Sequence, residues 1–222
     1  MDNKSAFNVN QYDENVRKVI PFYDDIYEQI FSLIKTYFGD REISLLDTGC
    51  GTGTLGLTAK STLNISDMVL CDPSEKMLAD VKKKLGDYPC DYICEGSENL
   101  SFENKFDVVT AIQSHHYFDK ATREIAVKNC YEALKPCGLL IYFENTAPNS
   151  KTGKEIMLER LESFELNAGR TPEQVKNHSA RYNKEFFPIT IKEHFELLKK
   201  TGFKSYELFW HSYMQSGFYA IK

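Results

Sequence analysis

The chain has 222 residues, a length that fits one domain with a sizeable hydrophobic core, and we treat 1–222 as a single domain. Its net charge of −5 argues against nucleic acid as the main partner, because nucleic-acid-binding domains usually carry clustered positive charge. The N-terminus is polar, and no apolar run approaches the roughly 20 residues of a membrane span. We expect a cytoplasmic protein without a membrane partner.

The cysteines predict reduced thiols. They lie at positions 50, 71, 90, 94, 130 and 137 without a Cys-x-x-Cys pair, and this scatter does not resemble a disulfide framework. Cys90 and Cys94 could form a zinc site with His115 and His116. No second close pair supports that interpretation, so we expect no metal.

Strand-like and helix-like segments alternate from Ile43 onward, which predicts an α/β fold with a parallel sheet. Before them, the first 40 residues are predicted to form a helical cover, because segment 12–23 is too aromatic for a disordered tail. The predicted strands are Ile43–Leu46, Met68–Cys71, Asp91–Cys94, Phe106–Ile112 and Leu139–Phe143. The predicted helices between them are Leu55–Ser61, a helix that Ser74 caps and that runs to Leu85, and Thr122–Leu134.

Residues 145–190 break this alternation and are predicted to form a helical insertion or lid. Its two polar helices are expected at Lys154–Asn167 and Pro172–Arg181, and they would also allow two chains to pair as a homodimer. After them come a predicted helix, Ile191–Thr201, and two strands, Ser205–His211 and Gly217–Ile221. The two strands are close enough in sequence to form an antiparallel hairpin.

The loop after the first strand carries the most specific pattern, Asp47-x-Gly49-x-Gly51-x-Gly53. Glycine permits positive φ and leaves no Cβ between the backbone and a ligand, and the following helix directs its N-terminal amides toward the same place. The pattern resembles the cofactor loop of class I S-adenosylmethionine (SAM) methyltransferases. That resemblance implies a Rossmann-like three-layer fold with strand order 3-2-1-4-5-7-6 and a helical insertion after strand 5. It also implies methyl transfer from SAM to a small-molecule acceptor, with S-adenosylhomocysteine (SAH) as product.

The same loop also fits a dinucleotide fingerprint. Gly51-x-Gly53-x-x-Gly56 has the required spacing, and Asp72 follows about 20 residues later. Two observations argue against NAD. The glycine series begins at Gly49, before the first glycine of the fingerprint, and Asp47 would repel a pyrophosphate. A carboxylate at that point can instead attract the ammonium of a methionine group, so we favour SAM.

The expected cofactor contacts follow from the predicted strand ends, since ligands of open α/β sheets lie outside the carboxyl ends of the strands. Asp72 is expected to accept both ribose hydroxyls, because a carboxylate has two acceptor oxygens. Pro73 and Met77 would pack on adenine. The resemblance places Gly96 and Ser97 at the adenine edge and Gln113 at the methionine end. The complete expected set is Tyr23, Asp47, Gly49, Cys50, Gly51, Gly53, Asp72, Pro73, Met77, Gly96, Ser97 and Gln113.

The methyl acceptor is expected to bind beside the loop that follows the fourth strand. His115 and His116 lie there, and an imidazole is suited to general-base work near neutral pH. Tyr117 would line the pocket, where an aromatic face favours a nearby cation such as the sulfonium. For all three residues, packing in the loop or core is the competing interpretation.

A second resemblance concerns the N-terminal segment, Gly49–Gly51, Asp72-Pro73 and the C-terminal half, which are similar to carboxy-SAM synthase. It implies that Tyr23 touches the cofactor and that Arg181 touches a carboxylate of substrate or modified cofactor. The loop 113–117 departs from that family's pattern. The alternatives to a methyltransferase are therefore a carboxy-SAM synthase-like enzyme, a non-catalytic SAM-binding regulatory module and, last, an NAD oxidoreductase.

Overall fold

The computed structural model describes residues 7–222, and a seven-stranded sheet forms its centre. The strands are β1 (Ile43–Thr48), β2 (Ile65–Cys71), β3 (Asp91–Ile93), β4 (Phe106–Ile112), β5 (Leu134–Asn145), β6 (Ser205–Ser212) and β7 (Gln215–Ile221). Their order is β3-β2-β1-β4-β5-β7-β6, with β1 to β5 parallel and β7 antiparallel to both β5 and β6. The predicted strand order and the terminal hairpin are confirmed.

Eight α-helices accompany the sheet in the described residues. They are α1 (Val9–Asn15), α2 (Tyr23–Phe38), α3 (Thr54–Thr62), α4 (Glu75–Leu85), α5 (Lys120–Ala133), α6 (Lys151–Asn167), α7 (Pro172–Ser179) and α8 (Ile191–Thr201). One apolar cluster joins the sheet to α2, α3 and α4, and a second joins it to α5 and α8. The sheet is therefore the middle of three layers.

The largest difference from the predicted boundaries is in β5, which begins at Leu134 rather than Leu139. Leu134 already pairs with Phe106, and a register irregularity follows before Leu139 pairs with Val108. This irregularity accommodates the segment Lys135–Gly138, where Cys137 has a φ of +61°. The proline and glycine of the segment suggested a loop, but the strand passes through them.

The N-terminal helix α1 lies against the glycine loop. Asp13 accepts a hydrogen bond from Thr52 Oγ1 at 2.6 Å, and it forms an ion pair with Lys84 Nζ at 2.5 Å. Lys84 also donates to the carbonyl of Thr52. Helix α1 is thus fastened to the glycine loop and to α4.

The helical insertion follows β5 and has a small, partly charged interior. Its helices bury Leu161, Glu165 and Val175. A bridge between Thr146 and Ile189 brings the two ends of the insertion together beside the sheet. Of the helices in residues 7–222, none is both long enough and apolar enough to cross a membrane. All six cysteines are free thiols.

Candidate cofactor and acceptor site

A cavity of about 440 Å³ lies at the carboxyl ends of β1, β2, β4 and β5, between the N-terminal cover and the insertion. The predicted residues that line it are Gly49, Gly51, Asp72, Pro73, Met77, Gly96, Ser97, Gln113, His116, Tyr117 and Arg181. A side cavity of about 20 Å³ shares Tyr12, Gly49, Gly51 and Ile112 with it, and Tyr23, Asp47 and Cys50 line that side cavity. Two predicted residues, Gly53 and His115, are absent from both linings as the described residues define them.

The glycine loop turns tightly because three of its residues adopt positive φ. Gly49, Gly51 and Gly53 have φ values of +72°, +54° and +85°. A Cβ at Gly51 would meet open space, so this glycine leaves the backbone accessible from the cavity. A Cβ at Gly53 would overlap Val81, so Gly53 permits α3 and α4 to pack closely. The expectation that Gly53 contacts the cofactor stays a prediction.

Asp72 is held in place by the loop that it faces. Its Oδ2 accepts the Gly51 N–H at 2.9 Å, and its Oδ1 accepts the Ser74 N–H at 2.8 Å. Burial raises the pKa of Asp72, while these two backbone hydrogen bonds act in the opposite direction. Because a carboxylate offers about four lone-pair sites, two remain for a ligand such as a ribose diol.

Asp47 lies in the side cavity among Tyr12, Tyr23 and Tyr27. It is 2% exposed, and burial raises its pKa to about 7 although Thr110 Oγ1 donates a hydrogen bond to it at 2.7 Å. A buried carboxylate surrounded by aromatic rings is a favourable place for a cation. The hydroxyl of Tyr23 lies 3.2 Å from Thr54 Oγ1 and 3.2 Å from the Tyr27 hydroxyl, which fixes its ring at the edge of this cavity.

Glu98 lies on the loop after β3, beside Gly96 and Ser97. Its Oε2 is buried and has no hydrogen-bond partner within residues 7–222, although the residue lines the cavity. A buried acceptor without a donor is costly, and an exocyclic amino group is the kind of donor that would satisfy it. Together with Asp72 and the open space over Gly51, this acceptor fits an adenosine.

Three side-chain amides connect the ends of β4, β5 and β7. Gln113 Nε2 donates to Gln215 Oε1 at 2.5 Å, and Gln215 Nε2 donates to Asn145 Oδ1 at 2.8 Å. Gln113 has a φ of +55°, an unusual conformation for a residue other than glycine. The chain of amides holds Gln113 at the cavity wall.

His115 and His116 follow Gln113 in a 3₁₀ turn, His115–Tyr117, and have different surroundings. His115 is 2% exposed, and its Nε2 lies 3.0 Å from Ser97 Oγ. Burial lowers the pKa of His115 to about 4. Of the two rings, that of His116 lines the cavity, and His115 is not among the lining residues in the part of the chain that the structure describes. A role of His115 toward the methyl acceptor stays a prediction.

His116 lines the cavity and is oriented by a buried carboxylate. Its Nδ1 lies 2.9 Å from Oε2 of Glu144, a residue of β5 that is 1% exposed. Burial raises the pKa of Glu144, but the hydrogen bond and charge of His116 outweigh it, and the pKa is lowered on balance. The ionised Glu144 holds a proton on Nδ1, which leaves Nε2 as the basic nitrogen.

The insertion supplies the far wall of the cavity. Arg181 and Phe186 line it, and Arg181 Cζ lies 6.0 Å from the centroid of the Phe186 ring. Arg181 also interacts with Tyr117 and lowers the pKa of that phenol, against the larger effect of burial, which raises it. The two substrate residues expected from sequence, Tyr117 and Arg181, thus lie together.

Several cavity residues were missed from sequence. Tyr12 comes from the N-terminal cover, His178 from α7 and Gln215 from β7, so only the tertiary fold brings them together. Glu144 gave a weak signal, since it is the first charged residue after the apolar run of β5.

Comparison with known proteins agrees with this geometry. Residues 45–138 match the family model described as "Methyltransferase domain". Carboxy-S-adenosyl-L-methionine synthase of Staphylococcus epidermidis is 27% identical, in a match covering 99% of this chain and 96% of that protein. Among solved structures, a SAM-dependent methyltransferase of Leishmania major has a TM-score of 0.65 at 18% identity, covering 90% of this chain and 73% of that one. Magnesium protoporphyrin IX methyltransferase of Synechocystis with bound SAH also has a TM-score of 0.65, at 14% identity, covering 93% and 86%.

The strand order and the glycine loop define a class I methyltransferase fold. Residues 45–138 are similar to a methyltransferase domain, and the chain shares its fold with SAM-dependent methyltransferases, a similarity that indicates SAM as the cofactor.

Proposed function

We propose that this protein transfers a methyl group from SAM to a small-molecule acceptor. The observation that carries the proposal is that a single cavity joins the glycine loop and Asp72 to the His116–Glu144 pair. One end of the cavity has the features that hold an adenosine, and the other has a positioned base. A binding module without turnover would have no need for such a base.

The cofactor half of the cavity would hold SAM through its sugar, its base and its ammonium. Asp72 would accept the ribose hydroxyls, Pro73 and Met77 would pack on the adenine, and Glu98 would accept from its amino group. Asp47 would attract the ammonium, as a carboxylate in a low-dielectric site does. These assignments favour SAM over NAD, because the pyrophosphate of NAD would be repelled from the same carboxylate.

When bound, SAM supplies an electrophilic methyl group on a positively charged sulfur. The residues of the chain align the acceptor, exclude water and remove a proton from it where the nucleophile carries one. Nε2 of His116 would take that proton, and Glu144 would stabilise the imidazolium that results. Tyr117 and Phe186 would cover the reacting groups on the insertion side.

The test is a screen for transfer of a labelled methyl group from SAM to pools of small molecules, followed by variants. His116→Gln should reduce transfer at least about 100-fold, since general bases contribute 10²–10⁴. His211→Gln provides the control, because His211 lies on β6 outside the cavity lining that the structure describes. SAM binding without labelled product in any acceptor class would favour the regulatory module instead.

A second candidate is a carboxy-SAM synthase-like activity. It is favoured by the extent of the similarity to the Staphylococcus epidermidis enzyme, which spans nearly the whole of both chains. Mass spectrometry of small molecules released from the purified protein separates the two candidates. SAM or SAH would support the methyltransferase, whereas SAM carboxylated on its methyl group would support the second candidate.

A further inference from the structure

We propose that the methyl acceptor is a small molecule with two hydroxyl groups, and that His178 accepts a hydrogen bond from the hydroxyl that is not methylated. This inference rests on the proposed function and names its substrate class. It follows from two imidazoles of the cavity wall that have the same kind of partner, from the buried ion cluster that fixes the tautomer of His178, and from the apolar side chains that line the cavity.

Two of the five histidines line the cavity, and they are the two that lie against a carboxylate. Nδ1 of His116 lies 2.9 Å from Glu144 Oε2, and Nδ1 of His178 lies 2.6 Å from Glu165 Oε1. The side chains of the two glutamates are 1% and 0% exposed. Within residues 7–222, the other three histidines lie outside the cavity lining and against the hydroxyl groups of Ser97, Tyr142 and Ser216. A carboxylate partner therefore distinguishes the imidazoles of the cavity from the others.

The partner of His178 determines which of its nitrogens can accept a hydrogen bond. Glu165 also pairs through Oε2 with Nη1 of Arg170, and this guanidinium favours the ionised carboxylate. An ionised carboxylate can only accept, so Nδ1 of His178 is the nitrogen that donates. In the neutral imidazole, Nε2 is then unprotonated and accepts. A ligand that contacts Nε2 must therefore supply a donor, which a carboxylate does not.

His116 and His178 lie beside the same aromatic ring. The centroid of Phe186 lies 6.1 Å from that of the His116 ring and 6.3 Å from that of the His178 ring. Phe186 lines the cavity together with both imidazoles, so a single small molecule can reach both. A molecule with one hydroxyl group would leave one Nε2 without a donor. Because a buried acceptor without a donor is costly, a second hydroxyl group is favoured.

Other residues of the cavity favour hydroxyl groups on an apolar body. Arg181 lines the cavity with His178, and its guanidinium and the sulfonium of SAM would both repel an ammonium. A hydroxyl group donates to Nε2 without carrying a charge. The apolar side chains that would contact the rest of the molecule are Phe118, Leu158, Leu161 and Met214. The class that fits these features is a small aromatic or aliphatic diol.

The two hydroxyl groups of the acceptor would have different fates. At His116, the acceptor oxygen gives its proton to Nε2 and forms a bond to the methyl carbon. The bond between that carbon and sulfur breaks, and its electron pair stays on sulfur as SAH forms. At His178, the second hydroxyl keeps its proton and holds the molecule by one hydrogen bond. His178 is therefore a recognition residue, and the expected product is a monomethyl ether.

The test compares diols with their monomethyl ethers on the full-length protein saturated with SAH. The probes are catechol, resorcinol and hydroquinone with 2-, 3- and 4-methoxyphenol, so that three spacings of the two hydroxyl groups are sampled. Dissociation constants come from ligand-observed NMR. We expect at least one diol to bind about fivefold more tightly than its ether, or better, because the ether leaves one imidazole without a donor. Equal binding of diol and ether at every spacing would overturn the proposal.

Two substitutions of His178 separate hydrogen bonding from ring packing. His178→Phe keeps a ring beside Phe186 but removes the acceptor, and it should reduce the preference for the diol to less than about twofold. His178→Gln loses the ring but keeps a side-chain oxygen that can accept, and it should retain more of the preference. The opposite order would assign a packing role to His178 and overturn the proposal. His211→Gln is the control and should leave the preference unchanged, since His211 is not among the described lining residues.

A measurement on the unaltered protein decides the question if a variant does not fold. In protein labelled with ¹⁵N at histidine, the ring chemical shifts report which nitrogen is protonated. We expect a proton on Nδ1 of both His116 and His178, and we expect the preferred diol to shift both Nε2 resonances. A proton on Nε2 of His178, or a diol that shifts the resonance of His116 alone, would overturn the proposal.

Failure of this proposal and failure of the proposed function give different results. Methyl transfer to an acceptor with one hydroxyl group, undiminished in His178→Phe, would retain the proposed function and overturn the diol. A preference for diols in a protein that does not bind SAH would support the contact with His178 and remove the proposed function.

Discussion

Nδ1 of His116 and Oε2 of Glu144 lie 2.9 Å apart, with both side chains almost completely buried at the ends of β4 and β5. Glu144 Oε1 also accepts the backbone N–H of His115, so the carboxylate fixes both the turn and the ring. In the proposed function, this relationship is what orients His116 as the base that acts on the methyl acceptor.

Glu144→Gln should reduce kcat at least about tenfold while leaving the SAH dissociation constant unchanged. The neutral amide can no longer stabilise an imidazolium at His116. Because the two residues act as a unit, the double variant with His116→Gln should be no slower than the worse single variant, within about threefold. Multiplicative losses in steady-state kinetics would contradict the coupling.

Asp72→Asn should weaken SAH binding by about 10–100-fold, since a charged acceptor of hydrogen bonds contributes roughly 1.5–3 kcal/mol. Asp67→Asn is the matched control. Asp67 lies on β2, the strand that ends just before Asp72, and its side chain is 38% exposed and pairs with Lys105. Titration calorimetry of both variants gives the comparison, and equal effects would show that Asp72 has no particular role.

A comparison of Gly51→Ala with Gly39→Ala should distinguish the effect of backbone strain on stability from the effect of a lost ligand contact on affinity. The two glycines have φ values of +54° and +62°, and a Cβ at either would meet open space. Both variants should lose about 1–2 kcal/mol of stability in denaturant unfolding. Only Gly51→Ala should lose SAH affinity, since only Gly51 lines the cavity. Unaltered binding by Gly51→Ala would place the ligand elsewhere.

Asp47 should make the stability of the ligand-free protein depend on pH, and a bound cation should counteract this effect. The pKa of Asp47 is about 7 in the folded protein, which is higher than in the unfolded chain. The contribution of Asp47 to the free energy of unfolding is therefore complete below about pH 4 and is lost as the pH rises through 7. The difference corresponds to roughly 4 kcal/mol, and Asp47→Asn should remove this loss in melts of the ligand-free protein.

A cation bound beside Asp47 would favour its ionised form, so SAM binding near pH 6.5 should release protons. Calorimetry in two buffers of different ionisation enthalpy measures the release, and Asp47→Asn should abolish it. Proton release that is unchanged in this variant would contradict the assignment of Asp47 to the ammonium.

The sequence was sufficient for the sheet because local signals and tertiary structure agree there. The glycine loop, the Ser74 cap and the apolar runs of β1, β2 and β4 each belong to one contiguous segment. The boundaries of β4 and α8 were predicted to the residue. Only β5 differed substantially, because it continues through a proline and a glycine.

The site was less predictable from sequence, because residues adjacent in sequence have different surroundings and residues far apart in sequence come into contact. His115 and His116 are chemically identical in sequence, and only the 3₁₀ turn assigns one to Ser97 and the other to Glu144. Glu165 and His178 are 13 residues apart on two helices whose packing no local pattern specifies. Tyr12 reaches the cavity because Asp13 fastens α1 to the glycine loop.

Binding of SAM in this cavity can be tested by competition between SAH and NAD for the site. The purified protein and Asp72→Asn would each be equilibrated with equal amounts of SAH and NAD and then desalted, and the retained molecules identified by denaturing mass spectrometry. We predict that the unaltered protein retains SAH alone and that the variant retains much less. Retention of NAD, or of neither molecule, would show that the cavity is not a SAM site.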